Sequence, residues 1–184
     1  MSVQEHTLKI RVFGIGGQGI QFSLKTLGYA ATIEGKYAST YSSYGAEVRG
    51  GPVLGDIVIS EEDIVNPYFK HPNVAYIIHP KSNFSNINLK HVNICIADNT
   101  LRQILPATGN RIFLPILENA YDVGGLQYSS IIAISTLCVV GVVSKDSLLS
   151  SLKSLGKLDE GNIMAIERGI QMSMEHNIRE LWKY

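Results

Sequence analysis

The sequence predicts an α/β fold in three α/β/α layers around a largely parallel sheet. Three observations carry this prediction. Short apolar runs alternate with helical patterns over the first two thirds of the chain, a glycine-rich stretch separates the first run from the first helical pattern, and helical patterns dominate the last third. Such alternation is typical of parallel strands covered by helices. No linker, repeat or low-complexity tract divides the chain, so we expect a single domain over residues 1–184.

Six runs predict the strands. The first alternates and then leads into glycines, and the third places Val53, Gly55, Ile57 and Ile59 on one face. The fourth and fifth are continuously apolar, as buried central strands are. The last is stopped by Pro115. The runs are residues 8–13, 37–42, 53–59, 74–78, 92–97 and 111–114.

Four helices follow from apolar spacing and end signals. The first has apolar side chains at positions 20, 24, 27 and 31, and Gly35 ends it. An apolar helix is predicted over residues 131–142, and another begins at Ser144. The last helix is capped by either Asp159 or Asn162.

Composition argues against two classes of partner. Lys and Arg number 16, as do Asp and Glu, and no basic run is present, so we expect no nucleic acid. The longest apolar run, residues 131–143, is too short to cross a bilayer, so we expect no membrane partner. The first residues lack an apolar signal core, which predicts a cytoplasmic protein.

Two cysteines, Cys95 and Cys138, lie in separate apolar runs, and no CxxC is present. Iron–sulfur clusters and structural zinc sites require several closely spaced thiolates or histidines. We therefore predict no metal site in this chain and interpret both thiols as buried side chains.

Residues 14–19 read GIGGQG and satisfy GxGxxG between a predicted strand and a predicted helix. This is a Rossmann-like glycine loop. Main-chain N–H groups at the start of a helix attract anions such as phosphate. The alternative is that the glycines only allow the strand and helix to pack closely.

A dinucleotide site would also need a carboxylate near the end of the second strand. Glu34 lies at about the right distance along the chain, but it ends the helix. The second predicted strand runs into Ser42, Ser43 and Tyr44. The sequence therefore disfavours a free-standing dinucleotide-binding protein, which remains the alternative function together with a pure assembly module.

A second glycine-rich loop, YGAEVRGGP at residues 44–52, contains Arg49. A guanidinium suits a phosphate or a carboxylate. If the sheet is parallel here, this loop lies beside the first one. Arg49 could equally pair with Glu47 or with local carbonyl groups and only fix the loop.

Together the two loops resemble the gamma subunit of the 2-oxoacid:ferredoxin oxidoreductases (pyruvate, 2-oxoglutarate and 2-ketoisovalerate type). The resemblance extends over most of the chain. Further matching positions are Asp63 and Ile64, Asn119, Gly124 and Gly125, residues 141–144, Asn162, Ala165 and Gly169.

The resemblance implies a subunit without catalytic residues of its own, in a complex that converts a 2-oxoacid, coenzyme A and oxidised ferredoxin into acyl-CoA, CO2 and reduced ferredoxin. Its partners would be alpha and beta subunits and, where it is a separate chain, a delta subunit. Those partners would hold thiamine diphosphate, Mg and the iron–sulfur clusters. Ala46 stands where many members have Pro. The residues Glu47-Val48-Arg49 resemble the members that act on 2-oxoglutarate and branched-chain 2-oxoacids more than other members.

On this reading the two loops would contact coenzyme A or a partner subunit. We expect main-chain contacts at the glycines, an amide offered by Gln18, and a rim that includes the Arg49 guanidinium. The candidate residues are Gly14, Gly16, Gly17, Gln18, Gly19, Ser43, Tyr44, Arg49, Gly50 and Gly51.

Overall fold

A six-stranded mixed sheet organises the chain. The computed structural model describes residues 7–44, 50–85, 88–105 and 110–182. The strands are β1 (Thr7–Ile15), β2 (Tyr37–Tyr44), β3 (Pro52–Ser60), β4 (Val74–Ile77), β5 (Ile94–Asp98) and β6 (Arg111–Leu114). The helices are α1 (Ile20–Ile33), α2 (Ile116–Val123), α3 (Ser129–Val139), α4 (Lys145–Ser154), α5 (Glu160–Glu175) and α6 (Ile178–Leu181).

The order of the strands is β2-β3-β1-β4-β5-β6. The pairs β1–β4, β4–β5 and β5–β6 are parallel, whereas β1–β3 and β2–β3 are antiparallel. The predicted α/β domain with a mostly parallel sheet is thus confirmed, with an antiparallel insertion. Its cause is the short connection between β2 and β3, residues 45–51. A connection of this length returns the chain antiparallel, since a parallel crossover needs a dozen or more residues.

The prediction that α-helices cover both faces of the sheet is wrong for the described residues. All six helices contribute side chains to one apolar cluster, on one face of the sheet. The opposite face buries Phe13, Ala75, Ile77 and Cys95 under loops and short 3-10 turns, such as Leu89–His91. The connections from β3 to β4 and from β4 to β5 contain Pro67, Pro72 and Pro80, and proline interrupts helices.

Helix α1 packs closely against β3 because β3 has a glycine, Gly55, at the point of contact. The apolar positions that predicted this helix, Ile20, Leu24, Leu27 and Ala31, are all buried. A Cβ atom on Gly55 of β3 would lie 2.5 Å from a methyl group of Leu24 and 2.7 Å from one of Ile20, so a larger residue would force these buried side chains to shift.

The helices of the last third follow their predicted end signals. The hydroxyl of Ser144 accepts a hydrogen bond from the N–H of Ser147 at the start of α4. The carboxylate of Asp159 caps α5 by accepting from the N–H of Asn162 at 2.9 Å. Of the two alternatives for this cap, Asp159 is therefore the one used. Helices α2 and α6 were not predicted, since each is too short to show a helical period.

Within the described residues, none of these helices combines the length and the apolar character that a bilayer span requires.

Glu34 joins the end of α1 to the start of α4. Its Oε1 accepts from the N–H of Ser144 at 2.6 Å and from the hydroxyl of Ser147 at 2.7 Å, while Oε2 pairs with Lys36 at 3.0 Å. Partial burial raises the pKa of Glu34, but these hydrogen bonds outweigh it and lower the pKa to about 2. The carboxylate therefore stabilises the fold only in its charged form.

We predict that Glu34→Gln reduces the free energy of unfolding by about 1 kcal/mol at neutral pH, a value well below the full linkage energy because water screens the carboxylate. The pKa of Glu34 in the folded protein lies below the ordinary glutamate value of 4.5. The contribution is therefore complete above that pH and is lost as the pH falls toward 2. Urea titrations of both proteins across this range test the prediction. A difference between them that does not shrink on acidification would contradict it.

Candidate functional site

The two glycine loops meet at the carboxyl end of β1. The N–H of Gly16 donates to the carbonyl of Gly51 at 2.9 Å, and Ile15 lies opposite Pro52 in the ladder. The predicted proximity of the loops is thus confirmed, but its cause differs from the predicted one. The loops adjoin because β1 and β3 pair antiparallel, so the end of one strand lies beside the start of the other.

Gly14 belongs to the strand and not to the loop. It is buried and pairs with Val53 across the ladder. A Cβ atom at this position would collide with Gln18 and would lie 2.7 Å from Ile20. Gly14 therefore serves close packing between β1 and the turn into α1, and the part of the motif that reaches the surface begins at Gly16.

Gly17 and Gly50 form the exposed part of the site. Both have positive φ, 96° and 72°, and no described atom lies within 4 Å of a Cβ built on either residue. Gly19 precedes α1 with φ of 72°, no side chain caps the helix there, and its first turn contains no acidic residue. The first turn of α1 therefore starts without a side-chain acceptor. Open space lies beside Gly17, whereas a Cβ atom on Gly19 would lie 2.6 Å from the carbonyl oxygen of Gln127.

The amide of Gln18 faces inward. Its Oε1 accepts from the N–H of Ile15 at 2.8 Å, and its Nε2 donates to the carbonyl of Ile78 at 3.2 Å and to the hydroxyl of Ser129 at 3.0 Å. The side chain is fully buried. The expectation that Gln18 offers its amide outward is therefore wrong for this structure, because β1, β4 and α3 already engage both of its ends.

Sequence reasoning missed the partners of Gln18. The carbonyl of Gln18 also accepts from the N–H of Ser130, and Ser130 hydrogen-bonds Ser23 of α1. Ser129 and Ser130 lie more than 100 positions along the chain from the loop. A pair of serines at the start of an apolar helix was the available signal, but nothing in the sequence connects it with the loop.

The rim of the site is described in part. Ser43 of β2 is exposed and lies opposite Leu54, and the backbone of Tyr44 pairs with Val53. The side chain of Tyr44 and all of Arg49 lie outside the described residues, as do Ala46, Glu47 and Val48. Gly51 is buried, and Gly50 is exposed.

No carboxylate suited to a ribose lies beside the described part of the loops. Helix α1 has 14 residues, so Glu34 lies about 20 Å from its first turn, at a rise of about 1.5 Å per residue. Its Oε1 is engaged at the start of α4, and its Oε2 pairs with Lys36. Asp98 is also engaged, since it caps the turn at Thr100 and accepts from the N–H of Leu117 at 2.8 Å.

His79 and the cysteines show no reactive geometry. Burial and Lys81 lower the pKa of His79, against an opposing effect of Asp98, and its Nδ1 accepts from the N–H of Lys81 within a turn. Burial raises the pKa of both Cys95 and Cys138 to about 12, so both are protonated thiols at neutral pH. Among the described residues, no group of three or more His, Cys, Asp or Glu side chains could hold a metal ion.

These observations describe a site made of main chain. Exposed glycines from two loops surround the start of α1, where N–H groups and the helix dipole favour negative charge. The described rim supplies a hydroxyl, and it contains no nucleophile paired with a base. Such a site suits the binding of an anionic ligand or a partner.

Comparison with known proteins assigns the chain to a family. The family model described as pyruvate ferredoxin/flavodoxin oxidoreductase matches residues 9–172. The chain belongs to this family. It is a gamma-type subunit of a 2-oxoacid:ferredoxin oxidoreductase.

Two curated relatives differ in length. The 2-oxoglutarate synthase subunit KorC of Methanothermobacter marburgensis is 29% identical over 180 residues, covering 91% of this chain and 97% of KorC. The ketoisovalerate oxidoreductase subunit VorA of Methanothermobacter thermautotrophicus is 26% identical over 182 residues, covering 95% of this chain but only 38% of VorA. The chain thus spans nearly all of one relative and little more than a third of the other.

Two solved structures share the fold. The gamma subunit of a keto/oxoacid ferredoxin oxidoreductase from Geobacter sulfurreducens superposes with a TM-score of 0.75 at 23% identity, covering 92% of this chain and 98% of that one. The 2-oxoglutarate:ferredoxin oxidoreductase of Magnetococcus marinus, with 2-oxoglutarate, coenzyme A and succinyl-CoA bound, gives 0.80 at 19% identity, covering 94% of this chain and 32% of that chain.

We predict that Gln18→Ala lowers the free energy of unfolding by about 2–4 kcal/mol, because it leaves buried groups of Ile15 and Ile78 without partners. Chemical denaturation of the purified chain measures the loss. Gln21→Ala is the matched control, since Gln21 is exposed on α1 and its loss should change stability by no more than about 0.5 kcal/mol. If the two substitutions lowered the free energy of unfolding equally, the hydrogen bonds of the buried Gln18 amide would not be what stabilises the fold.

Proposed function

We propose that this chain is the subunit that helps to hold coenzyme A in a multi-subunit 2-oxoacid:ferredoxin oxidoreductase. The observation that carries the proposal is the meeting of two glycine loops at the uncapped start of α1, joined by the bond from Gly16 to Gly51. Coenzyme A carries several phosphate charges, and helix N-termini with exposed glycines bind phosphate through main-chain N–H groups.

The proposed contacts use the exposed part of the two loops. Gly17 and Gly19 would offer main-chain N–H groups from one side, and Gly50 with Arg49 would contact the ligand from the other. The N–H of Gly16 is already bonded to Gly51, so Gly16 would position the loop. Ser43 and Tyr44 would complete the rim, and Gly51 would hold the two loops together. Gly14 and Gln18 act beneath the site, where they fix the turn.

The remainder of the reaction belongs to partner subunits in this proposal. Alpha, beta and, where separate, delta chains hold thiamine diphosphate, Mg and the iron–sulfur clusters, and ferredoxin accepts the electrons. Two observations support a dependent subunit. The described site has no nucleophile paired with a base, and VorA aligns with this chain over only 38% of its own length, so a similar domain there is part of a longer chain.

The substrate class follows from the relatives. KorC belongs to a 2-oxoglutarate synthase and VorA to a ketoisovalerate oxidoreductase. We propose a 2-oxoacid substrate of one of these two kinds. The bound acid would contact other subunits, so the choice between them is made outside this chain.

Co-purification tests the proposed assembly. A tagged copy is expressed in the native cell and the recovered chains are identified by mass. We expect chains that bind thiamine diphosphate and iron–sulfur clusters, in amounts equal to the tagged chain. Recovery of the chain alone, together with binding of NAD(H) in a titration, would support the alternative of a free-standing dinucleotide-binding protein.

For the assembled enzyme we predict that Arg49→Ala raises the KM for coenzyme A about 10- to 100-fold, the range expected for one lost charge-assisted bond to phosphate. The KM for the 2-oxoacid should not change, because that substrate is held elsewhere. Arg179→Ala is the matched control, since Arg179 is exposed on α6. An unchanged KM for coenzyme A in the Arg49 variant would remove Arg49 from the site.

A further inference from the structure

The two edges of the sheet differ in a way that the proposed function does not explain. One edge is β6, a strand of 4 residues that begins with Arg111. The other is β2, a strand of 8 residues. Sheets usually protect an edge by making it short or by placing charge or proline on it. β6 has such protection, and β2 does not.

β2 reads YASTYSSY over residues 37–44 and contains no charged residue and no proline. Apart from its ladder with β3, it makes no main-chain hydrogen bond to any residue that the structure describes. Among the residues that the structure describes, nothing pairs with its outer edge, so this edge presents a row of N–H and C=O groups that is a template for another strand.

The surface around this edge is rich in tyrosine. Tyr37 is 49% exposed and Tyr41 is 51% exposed, and the ring of Tyr41 meets that of Tyr68 edge to face, with centroids 5.9 Å apart. On the helix side, a groove of about 560 Å3 runs between α1 and β2, lined by Tyr29, Thr40 and neighbouring side chains. Tyrosine is enriched where protein surfaces meet.

The chemistry of β2 suits a second copy of itself. Antiparallel pairing about a two-fold axis through Thr40 or Tyr41 brings each residue opposite one that faces the same side of the sheet. In either register the central side chains are neutral, and most carry hydroxyl groups. No like charges face each other, and hydroxyl and aromatic pairs across strands are favourable.

We propose that two copies of this chain associate through their β2 strands, which extends the sheet across a two-fold axis. The same patch then serves both copies, as an isologous interface requires. The proposal is independent of coenzyme A binding.

A charge-swap experiment tests it on the full chain. Sedimentation of the wild type over a concentration series should show a mass that rises from 20.2 kDa toward twice that value. Tyr41→Lys and Tyr41→Glu should each weaken association about tenfold or more, because like charges then lie opposite each other (axis through Tyr41) or diagonally adjacent on the same face (axis through Thr40). An equal mixture of the two variants should associate again, and this recovery would also show that both variants are folded.

Tyr121→Lys and Tyr121→Glu are the matched controls, since Tyr121 is 64% exposed on α2. These variants should associate as the wild type does. A wild type that stays at 20.2 kDa at every concentration overturns the proposal, as does equal association of the single Tyr41 variants. If the isolated chain is monomeric and only the Tyr41 variants fail to join the partner subunits, the edge pairs with a partner strand, and self-association is rejected.

Discussion

The bonds of one buried amide set the geometry on which the site depends. Gln18 accepts from β1 and donates to the end of β4 and to the start of α3, so it fixes the path of the chain from the first strand into α1. Buried polar groups stabilise a structure when all their bonds are made and are costly when they are not. The loop can therefore expose its glycines to solvent and still keep one conformation, because its anchoring side chain lies beneath it.

A site built in this way depends on backbone shape more than on side-chain chemistry. Gly14 leaves room for the inward amide, and Gly16 is bonded to the neighbouring hairpin. Preorganised N–H groups bind anions without the loss of side-chain entropy that a lysine cluster would incur. The described part of the site supplies main-chain groups and one exposed hydroxyl, which is what the proposed binding role requires.

Much of this was readable from the sequence. The periodicity of Ile20, Leu24, Leu27 and Ala31 located α1, because this signal is local. The start of α5 was narrowed to Asp159 or Asn162, and the structure shows that Asp159 is the cap. The antiparallel course of β3 was missed, although the short connection at residues 45–51 was visible. The direction of Gln18 could not be predicted, because its partners at Ile78 and Ser129 are distant in sequence and become neighbours only in the fold. The GxGxxG pattern alone could not separate a buried glutamine from an exposed one.

Helix α1 is held at both of its ends. Its start is tied to α3 through Gln18 and Ser23, and its end is tied to α4 through Glu34. The helix cannot fray from either terminus without breaking bonds to the helical last third of the chain. Local opening in proteins follows such cooperative units. Amide hydrogens of α1, α3 and the first turn of α4 should therefore exchange with solvent as one unit, which couples the order of the glycine loops to that of the whole helical layer.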